Sequence, residues 1–597
     1  MDHGTEYRTD HDTEQSREAL GRLTSRRRFL VTSVVGFGAA LLAACTQAPA
    51  APAPAAPAKP AEPAKPAEAP KPAAAAPTQA PIPVTAVVQP TTAAAAPAPT
   101  QAAPAAAKPA AAGTLTVSQS VDINTLHPWI GTLNVWKGIK TDVYDQLSYQ
   151  DPTTFEFKPK LAKSFEWTDN NTSLLVTLPS GVTFHNGEKL TAEDVKFTID
   201  SIRDQQVGSW LRGFLAPIKE VQVVDETHLK LKTDNVEAQL IPAFSYVDIT
   251  PRSMGTDLAK TNPVGSGPFK FVEWVPNDRI VLEKNDKYWD QANIPKVDKI
   301  IFKPVTEMQT RLSQVLAGNV DLVYDFALTE VPRMQADKRV VVTLNPPAEQ
   351  SFAMYLNMRK PPFNKVEMRQ AMGFALDREA FIKNFQAGIG NPAGNSPFTD
   401  KHWAYEPKTA AAYKYDPDKV GQLMEKAGYP KGQGLEFSLL VPNGYPEFKQ
   451  MSTMLQATFA SLGYQPAIEE VEIAQWSQRL NQSREFFGAV DYPGRGTADP
   501  ALTYSAGLLY PPTPANIGGL TPETMPGYVE ALKEGAQTTD QAKRKEAYSR
   551  AQMLWVEHLP GPVFMHRSAA HAALPGVKGF IPHAAFQQSW TAVSVEK

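Results

Sequence analysis

The chain has 597 residues, a formal net charge of -3 and 53 prolines. Such a length allows several ordinary domains or one large body with several lobes, and it does not limit burial of a core. The nearly neutral charge gives no overall basic field, which argues against nucleic acid as a partner.

The N-terminal segment has the features of an export signal. Arg26 and Arg27 lie in a stretch that resembles the twin-arginine motif, and the apolar run 31–44 is too short to span a bilayer as a mature helix. The run ends in the tetrapeptide 42–45, which resembles a bacterial lipobox with Cys45 as the lipidated residue. The alternative is a plain signal peptide with an incidental cysteine. Cys45 is the only cysteine, so an intramolecular disulfide is excluded.

Residues 46–112 are mostly alanine and proline with spaced lysines. A tract of this composition cannot bury a core and is typical of a solvated, partly polyproline II tether. We therefore expect residues 1–44 to be the signal, residues 45–112 to be the lipidated cysteine with its tether, and the folded body to begin at Gly113.

The first part of the body alternates strands and helices. Leu115–Val117 predicts a strand, as do Ser173–Leu178 and Val182–Phe184, which are separated by a turn. Thr191 and Asp194 have the spacing that caps a helix. His185, beside Asn186 and Glu188, resembles a catalytic histidine, but the family resemblance described below implies a structural role in a turn.

The stretch 262–324 begins with a Pro- and Gly-rich turn and predicts a hairpin of Phe269–Trp274 with Ile280–Leu282. Ile300–Phe302 predicts a third strand, and Val320–Tyr324 a buried one. Between these two strands, Thr306 and Gln309 have capping-box spacing before an amphipathic helix that ends at Gly318.

The remainder of the body predicts three long helices. These are Arg378–Gln386, capped by Asp377, then Lys419–Pro430 and Arg544–Leu559. The mixture of strands and helices predicts an α/β fold.

The sequence lacks the common sequence motifs of catalytic sites. It has no G-x-S-x-G elbow, no H-E-x-x-H, no Walker A motif and no C-x-x-C. We therefore predict a protein that is not an enzyme and has no catalytic residue, cofactor or metal. A cluster of histidines near the C-terminus keeps a metal chelate open as a ligand, because imidazole commonly binds nickel: His558, His566, His571 and His583.

Several segments together resemble the family 5 extracellular solute-binding proteins, the peptide, nickel and oligopeptide receptors of ABC importers. The resemblance is carried by Asn262–Phe269, Asn285–Trp289 and Ala317–Asp321, and extends over about 113–566. It implies a large, three-domain clamshell of the type II periplasmic-binding-protein kind, with two lobes around a ligand cleft. The implied domains are a core of lobe 1 (113–157, 253–352 and 570–597), an inserted domain (158–252) and lobe 2 (353–569).

The resemblance also implies candidate ligand contacts. Loops that face the cleft in relatives contain Trp129 and Trp136, although packing of a lid is the commoner role for such residues. A second set lies in or near lobe 2: Tyr355, Asn395, Phe398 and Trp403.

One segment departs from the family pattern. Peptide-binding relatives use an aspartate there to pair with the amino group of the peptide, and Asp491 matches it only if an insertion is allowed. The tryptophan of that pattern is missing, and the nearby Arg495 would suit an anionic ligand or simply be solvated.

The function implied by the resemblance is capture of a peptide-like solute and its delivery to an ABC importer. An oligosaccharide, a nickel or other metal chelate, or another small solute remains open as the ligand, and a secreted hydrolase or a surface scaffold lipoprotein is a weaker alternative. The expected partners are the permease and ATPase subunits, and the membrane through the lipid anchor. We expect a monomer on the outer face of the cell membrane, in a periplasmic space or at the cell surface.

Overall fold

The computed structural model describes residues 113–131, 133–258, 262–345, 351–393, 395–491, 499–505 and 516–596. Four predicted functional residues, Arg26, Arg27, Cys45 and Arg495, lie outside these ranges. The described residues belong to one compact unit. None of the described helices combines the length and the apolar character that a bilayer crossing requires.

The strands in chain order are β1 Thr114–Gln119, β2 Ser148–Gln150, β3 Phe157–Pro159, β4 Ser164–Thr168, β5 Ser173–Thr177, β6 Ile218–Val223, β7 His228–Thr233, β8 Phe269–Val275, β9 Arg279–Lys284, β10 Lys299–Pro304, β11 Leu322–Phe326, β12 Val341–Leu344, β13 Ser351–Leu356, β14 Asn391–Pro392, β15 Ser438–Pro442, β16 Ala467–Val471, β17 Gly488–Asp491, β18 Val563–His566, β19 Ala570–Ala573, β20 Val577–Lys578 and β21 Ser594–Val595.

The α-helices are α1 Asn134–Val143, α2 Ala192–Arg203, α3 Arg212–Leu215, α4 Leu240–Ala243, α5 Met308–Leu316, α6 Val331–Ala336, α7 Val366–Phe374, α8 Arg378–Phe385, α9 Pro407–Ala410, α10 Pro417–Lys426, α11 Pro446–Ser461, α12 Ile473–Gln478, α13 Pro500–Ser505, α14 Tyr528–Ala536 and α15 Gln541–His558.

Three larger sheets organise the described chain, beside the two-stranded sheets β2-β3 and β20-β21. The first sheet has the order β12-β19-β11-β1-β10-β9-β8, and the second has the order β14-β18-β13-β17-β15-β16. The third sheet, β4-β5-β7-β6, is antiparallel and packs over its own apolar core. The chain passes from the first sheet to the second between β12 and β13, and returns between β18 and β19. The first and third sheets therefore belong to one lobe, and the second sheet to the other.

Most predicted elements are confirmed. The hairpin is β8 paired with β9, and Asp377 caps α8 by accepting a hydrogen bond from the Ala380 N–H at 2.9 Å. The Thr191–Asp194 capping box begins α2. The three-part division into domains stays a prediction, and its limits at 157 and 352 fall inside β3 and β13.

Two local predictions are wrong. Val182–Phe184 is not a strand, because only an isolated bridge between Thr183 and Lys189 pairs there. The cap of α5 is Glu307 rather than Thr306, since the Glu307 carboxylate accepts hydrogen bonds from the N–H groups of Gln309 and Thr310. A carboxylate at this position also complements the positive end of the helix dipole, which explains why it replaces the threonine.

A buried carboxylate, Asp145, joins two of the family-like segments, 262–269 and 285–289, in the first lobe. It accepts hydrogen bonds from Ser266 Oγ at 2.9 Å, Tyr288 Oη at 3.0 Å and Trp289 Nε1 at 2.8 Å. Lys160 Nζ lies 3.5 Å away as a counter-charge. We call these five residues the Asp145 network; its acceptors and charges are matched, which is the condition for burying a carboxylate.

The Pro- and Gly-rich turn packs directly on the end of α1. A Cβ on Gly265 would overlap the carbonyl oxygen of Val143, and one on Gly267 would overlap that of Asp142. His185 holds the turn from the other side, because its Nε2 lies 2.9 Å from Gly267 O and its Nδ1 accepts the Gly265 N–H at 3.3 Å. Burial lowers the pKa of His185 to about 4. The ring is therefore neutral and structural at pH 7.

Candidate ligand-binding site

A cavity of about 670 Å³ lies between the two lobes. Its first-lobe wall includes Val121, Arg311 and residues 324–329, and its second-lobe wall includes Phe352 and residues 444–447. Arg567 and Ser568, on the connection from β18 to β19, also line it. We call this space the interlobe cavity. Its volume suits a small ligand.

An ion pair lies on the cavity wall where the lobes meet. Arg567 Nη2 donates to Asp325 Oδ2 at 2.9 Å, and both side chains are mostly buried, at 21% and 27% exposed. The Arg567 guanidinium also lies over the ring of Phe586, 5.4 Å from its centroid. An arginine that is paired and stacked in this way is held in one orientation, because its planar fork fits both partners.

The conformation of Asp325 is itself fixed by neighbouring residues. It has a φ of 58°, which is uncommon for a residue with a side chain, and its N–H donates to His571 Nδ1 at 3.2 Å. The other ring nitrogen, Nε2, donates to Asn345 Oδ1 at 2.6 Å. Burial lowers the pKa of His571 to about 4, so the ring is neutral at pH 7. Outlying backbone geometry that is fixed by its surroundings is typical of functional sites.

Two more polar groups belong to the first-lobe wall. Arg311 donates through Nη1 to Val305 O at 2.7 Å and Thr306 O at 3.0 Å, while its buried Nε has no hydrogen-bond partner among the described residues. The same holds for the buried hydroxyl of Tyr324. Burial lowers the pKa of Arg311 and raises that of Tyr324. Both residues line the cavity, while these two atoms are themselves buried behind its surface.

The second-lobe wall has an acidic character. Tyr445 and Glu447 flank Pro446 at the beginning of α11, and both line the cavity. Burial raises the pKa of Tyr445, the carboxylates of Glu447 and Asp491 raise it further, and the charge of Arg567 opposes them. Asp491, the predicted anchor for an amino group, is half-buried at the end of β17 and does not itself line the cavity. Its charge thus acts on a residue of the cavity wall.

The two tryptophans predicted from the entrance loops lie in cores. Trp129 has no exposed surface; its indole N–H donates to Asp248 O at 2.9 Å, and its ring packs in the core of the third sheet. Trp136 is equally buried in the core of the first sheet, and its N–H donates to His127 O at 3.3 Å. Neither ring lines the interlobe cavity, and packing accounts for both.

The other predicted contacts also fall away from the cavity. Asn395 is fully buried and accepts the Val563 N–H at 3.0 Å. Phe398 stacks on His402 with centroids 4.4 Å apart, and the guanidinium of Arg544 lies over Trp403. Tyr355 is buried in a cluster with Leu440 and Trp476. These are packing positions in the second lobe, because a buried aromatic ring maximises the apolar area removed from water.

The C-terminal histidines do not form one group. His571 belongs to the Asp325 support described above, whereas His583 Nε2 lies 3.0 Å from Gln150 O and its Nδ1 accepts the Ala585 N–H. Burial lowers the pKa of both, and that of His566 to about 4. Within the described residues, no three His, Cys, Asp or Glu side chains are arranged to hold a metal ion.

Comparison with known proteins agrees with the architecture. Residues 156–509 match the family model described as bacterial extracellular solute-binding proteins, family 5 Middle. Heme-binding protein A of Haemophilus influenzae is 24% identical over 486 residues, which cover 76% of this chain and 87% of that protein. Di/tripeptide-binding protein 1 of Pseudomonas aeruginosa is 26% identical over 451 residues, covering 70% and 82%.

A solved structure shares the fold. The ABC transporter-associated periplasmic binding protein DppA of Helicobacter pylori, in complex with the peptide STSA, superposes with a TM-score of 0.69 at 22% identity. The match covers 81% of this chain and 98% of that one. The fold is thus the predicted periplasmic-binding-protein clamshell, with two lobes around a cleft. The chain belongs to the family 5 bacterial extracellular solute-binding proteins, and it is a solute-binding component of an ABC importer.

Sequence reasoning missed the charged residues of the cavity, which are Arg311, Asp325, Glu447 and Arg567. Each lies outside the motif segments by which the family was recognised, and each looks in sequence like an ordinary surface charge. A sequence signal was available only for Asp325, because it follows the predicted buried strand directly. Loops at strand ends commonly carry binding residues.

Proposed function

We propose that this chain captures a short peptide-like solute in the interlobe cavity and presents it to the permease of an ABC importer. The observation that carries the proposal is the charge distribution of the cavity. Glu447 lines the second-lobe wall beside Tyr445, Asp491 lies behind this wall and acts electrostatically on Tyr445, and the guanidinium of Arg567 lies where the lobes meet. A zwitterion with separated charges complements such a cavity.

In this proposal Asp491 pairs with the ligand's amino group, as an aspartate does in the peptide-binding relatives. Its position at the end of β17 supports the assignment, because β17 pairs with β13 near the cavity wall at Phe352. The similarity to a di/tripeptide-binding protein and to a peptide complex also favours a peptide. Phe398, Trp403, Asn395, Tyr355, Trp129 and Trp136 support the lobes instead of touching the ligand.

A different solute is the second candidate. The similarity to a heme-binding protein keeps a metal chelate or another non-peptide ligand in view, although His566, His571 and His583 are each buried separately. We propose no enzymatic activity. Closure of the two lobes would exclude water and complete the binding surface, which is the usual action of a clamshell fold.

Export and anchoring follow from the N-terminal sequence. We propose that Arg26 and Arg27 direct export, that Cys45 is lipidated, and that residues 46–112 tether the body to the outer face of the cell membrane as a monomer. A Cys45→Ser variant should move from the membrane to the soluble fraction, whereas a conservative change in the tether, Thr46→Ser, should not. Retention of Cys45→Ser on membranes contradicts the assignment.

The experiment that tests the ligand is native mass spectrometry of the chain purified from its own host. Denaturation of the purified protein then releases the bound molecule for identification. A ladder of co-purified peptides supports the proposal. A sugar, a heme or a metal chelate keeps the family and overturns the ligand.

A further inference from the structure

A second cavity, of about 400 Å³, lies within the first lobe. It shares no described lining residue with the interlobe cavity, and the two lie at opposite ends of α1. Val135 lines the interlobe cavity, whereas Thr141 and Asp142 line the second one. We call this space the first-lobe cavity, and its volume lies within the range of small-molecule sites. Its other walls come mainly from the segments 149–160, 288–293 and 579–592.

The first-lobe cavity is a pocket rather than a shallow surface depression. Three of its polar lining residues, Asp142, Gln150 and Gln588, are at most 3% exposed. Two apolar or aromatic ones, Tyr149 and Ile581, are 38% and 53% exposed. The cavity therefore combines buried polar groups with an exposed rim on which an alkyl group can pack.

The amide side chains of the lining have used their N–H groups within the chain. Gln150 and Gln587 each donate to a backbone carbonyl, at 3.3 Å and 2.6 Å, and Asn293 donates to Asp290 Oδ2 at 2.7 Å. None of the three amide oxygens accepts a hydrogen bond from a described residue. The groups that remain for a ligand are therefore acceptors, and the ligand has to supply the donors.

Positive charge in the lining is also used within the chain. Lys160 is the only lysine or arginine among the described lining residues, and its ammonium group donates to Thr141 O at 3.1 Å and Gln146 Oε1 at 2.8 Å. It is also the counter-charge of Asp145, 3.5 Å away. His583 adds no charge at pH 7, because burial lowers its pKa.

Two carboxylates of the lining, Asp142 and Asp290, form no ion pair with a described residue. Asp142 accepts one backbone N–H at 2.8 Å and lies 3.4 Å from one hydroxyl. Burial raises its pKa to about 7, and the charge of Lys160 opposes this shift. The charges of Asp290 and Asp142 also act on Tyr288, whose pKa is raised mainly by burial. A buried carboxylate without a paired cation is costly, so a cationic ligand is favoured here.

We propose that the first-lobe cavity binds a small alkyl ammonium compound, whose N–H groups donate to Asp142 and to the amide oxygens of Gln150 and Gln587. An ammonium group suits this lining because it has three donors, no acceptor and one positive charge. Tyr149 and Ile581 at the rim pack on the alkyl part. The site is separate from the interlobe cavity, and the inference goes beyond the proposed function.

The test compares putrescine, which carries two ammonium groups, with its neutral isostere 1,4-butanediol. Each is titrated calorimetrically into the full chain, purified in detergent and dialysed. We expect putrescine to bind about tenfold or more tightly than the diol, since hydrogen bonds to charged groups are the stronger ones. Asp142→Asn removes the charge at nearly constant shape and should weaken putrescine binding about tenfold. Equal affinities for the two probes, no measurable putrescine binding, or an undiminished affinity in Asp142→Asn overturns the inference.

A second variant covers the case in which Asp142→Asn does not fold. Asp290→Asn should weaken putrescine binding severalfold, because Asp290 is the other carboxylate of the lining. The matched control is Asp286→Asn, since Asp286 lies on the same connection from β9 to β10 but is 84% exposed and outside the cavity. The control should bind putrescine as the native chain does. Equal affinities of the Asp290→Asn and Asp286→Asn variants contradict the inference.

A third variant shows in which cavity the probe binds. Glu447 lines the interlobe cavity, where an ammonium compound could also find a carboxylate. We expect Glu447→Gln to bind putrescine with the native affinity. A loss of putrescine binding in this variant would place the probe between the lobes and overturn the inference, while the proposed capture of a peptide would stand.

Discussion

The Asp145 network and the interlobe cavity are both built from charged and aromatic side chains, yet they differ in how those groups are matched. Asp145 has three hydrogen-bond donors and a lysine around it. On the cavity wall, Arg311 Nε and the Tyr324 hydroxyl are buried without hydrogen-bond partners among the described residues. The polar groups around Asp145 are matched within the chain, whereas two polar atoms behind the cavity surface have no partner among the described residues.

This difference assigns separate roles to the two regions. The segments by which the family was recognised contribute Ser266, Tyr288 and Trp289, which bind Asp145 from another part of the first lobe. The charges of the cavity lie outside those motifs. The family segments thus include residues that build the first lobe, whereas the charged residues that line the cavity lie outside them.

The largest effect is expected from the Asp145 network. Asp145→Ala should lower the free energy of unfolding by about 3–5 kcal/mol, because it removes the acceptor of Tyr288 and Trp289 and the counter-charge of Lys160. Urea denaturation followed by fluorescence would measure it. The control is Asp286→Ala, since the Asp286 side chain is 84% exposed and should change stability by about 0.5 kcal/mol at most. If the two substitutions lowered the free energy of unfolding equally, Asp145 would contribute no more to stability than an exposed aspartate.

Substitutions at the cavity should change the affinity for the ligand rather than the free energy of unfolding. Asp491→Asn is expected to weaken peptide binding about 10- to 100-fold, since a buried charge-assisted hydrogen bond is worth roughly 1.5–3 kcal/mol. Titration with a co-purified peptide and with its N-acetylated form would show whether the amino group is the partner. Asp278→Asn, on an exposed turn, is the control. An unchanged preference for the free amine in Asp491→Asn argues against the anchor.

Low pH should lower the free energy of unfolding through His571, which supports Asp325 on the cavity wall. Its folded-state pKa, about 4, lies below the usual 6.5, so the unfolded chain takes up the proton first. This contribution is complete above about pH 6.5 and is lost as the pH falls toward 4, by about 1–2 kcal/mol between pH 7 and pH 5. His571→Gln should reduce the dependence of unfolding free energy on pH by that amount. Identical slopes for variant and native protein would exclude His571 as a source.

The contribution of Asp142 to the free energy of unfolding changes with pH in the opposite direction. Burial raises its pKa to about 7, so its stabilising contribution is present at low pH and is lost as the pH rises through 7. An Asp142→Asn variant should therefore show a steeper gain of stability between pH 5 and pH 7 than the native chain. Comparing Asp142→Asn with His571→Gln therefore separates the contributions of Asp142 and His571 to the pH dependence of stability.

The smallest effect is expected from surface ion pairs. Lys189→Gln removes a pair with Glu226 in which both side chains are more than half exposed, and it should change stability by less than about 0.5 kcal/mol. A larger loss would mean that stability is not concentrated in buried networks such as that of Asp145.

Helices and strands were predicted correctly where their signal comes from residues that are close together in the sequence. The β8–β9 hairpin and the Asp377 cap depend on residues that are neighbours in sequence, and both are confirmed. The Val182–Phe184 prediction failed because apolar alternation does not show whether a pairing partner is present. Trp129 looked available in its loop, but burial of its ring depends on the third sheet folding over it.

The sequence by itself determined the family, the α/β clamshell and an N-terminus with the pattern of an exported lipoprotein, because these rest on motif order, composition and short-range spacing. Only the tertiary structure decided which side chains face the cavity. Asp325 and Arg567 are 242 residues apart in the chain and 2.9 Å apart in space. Contacts at such separation depend on the two crossings between lobes, and no local pattern of residues records them.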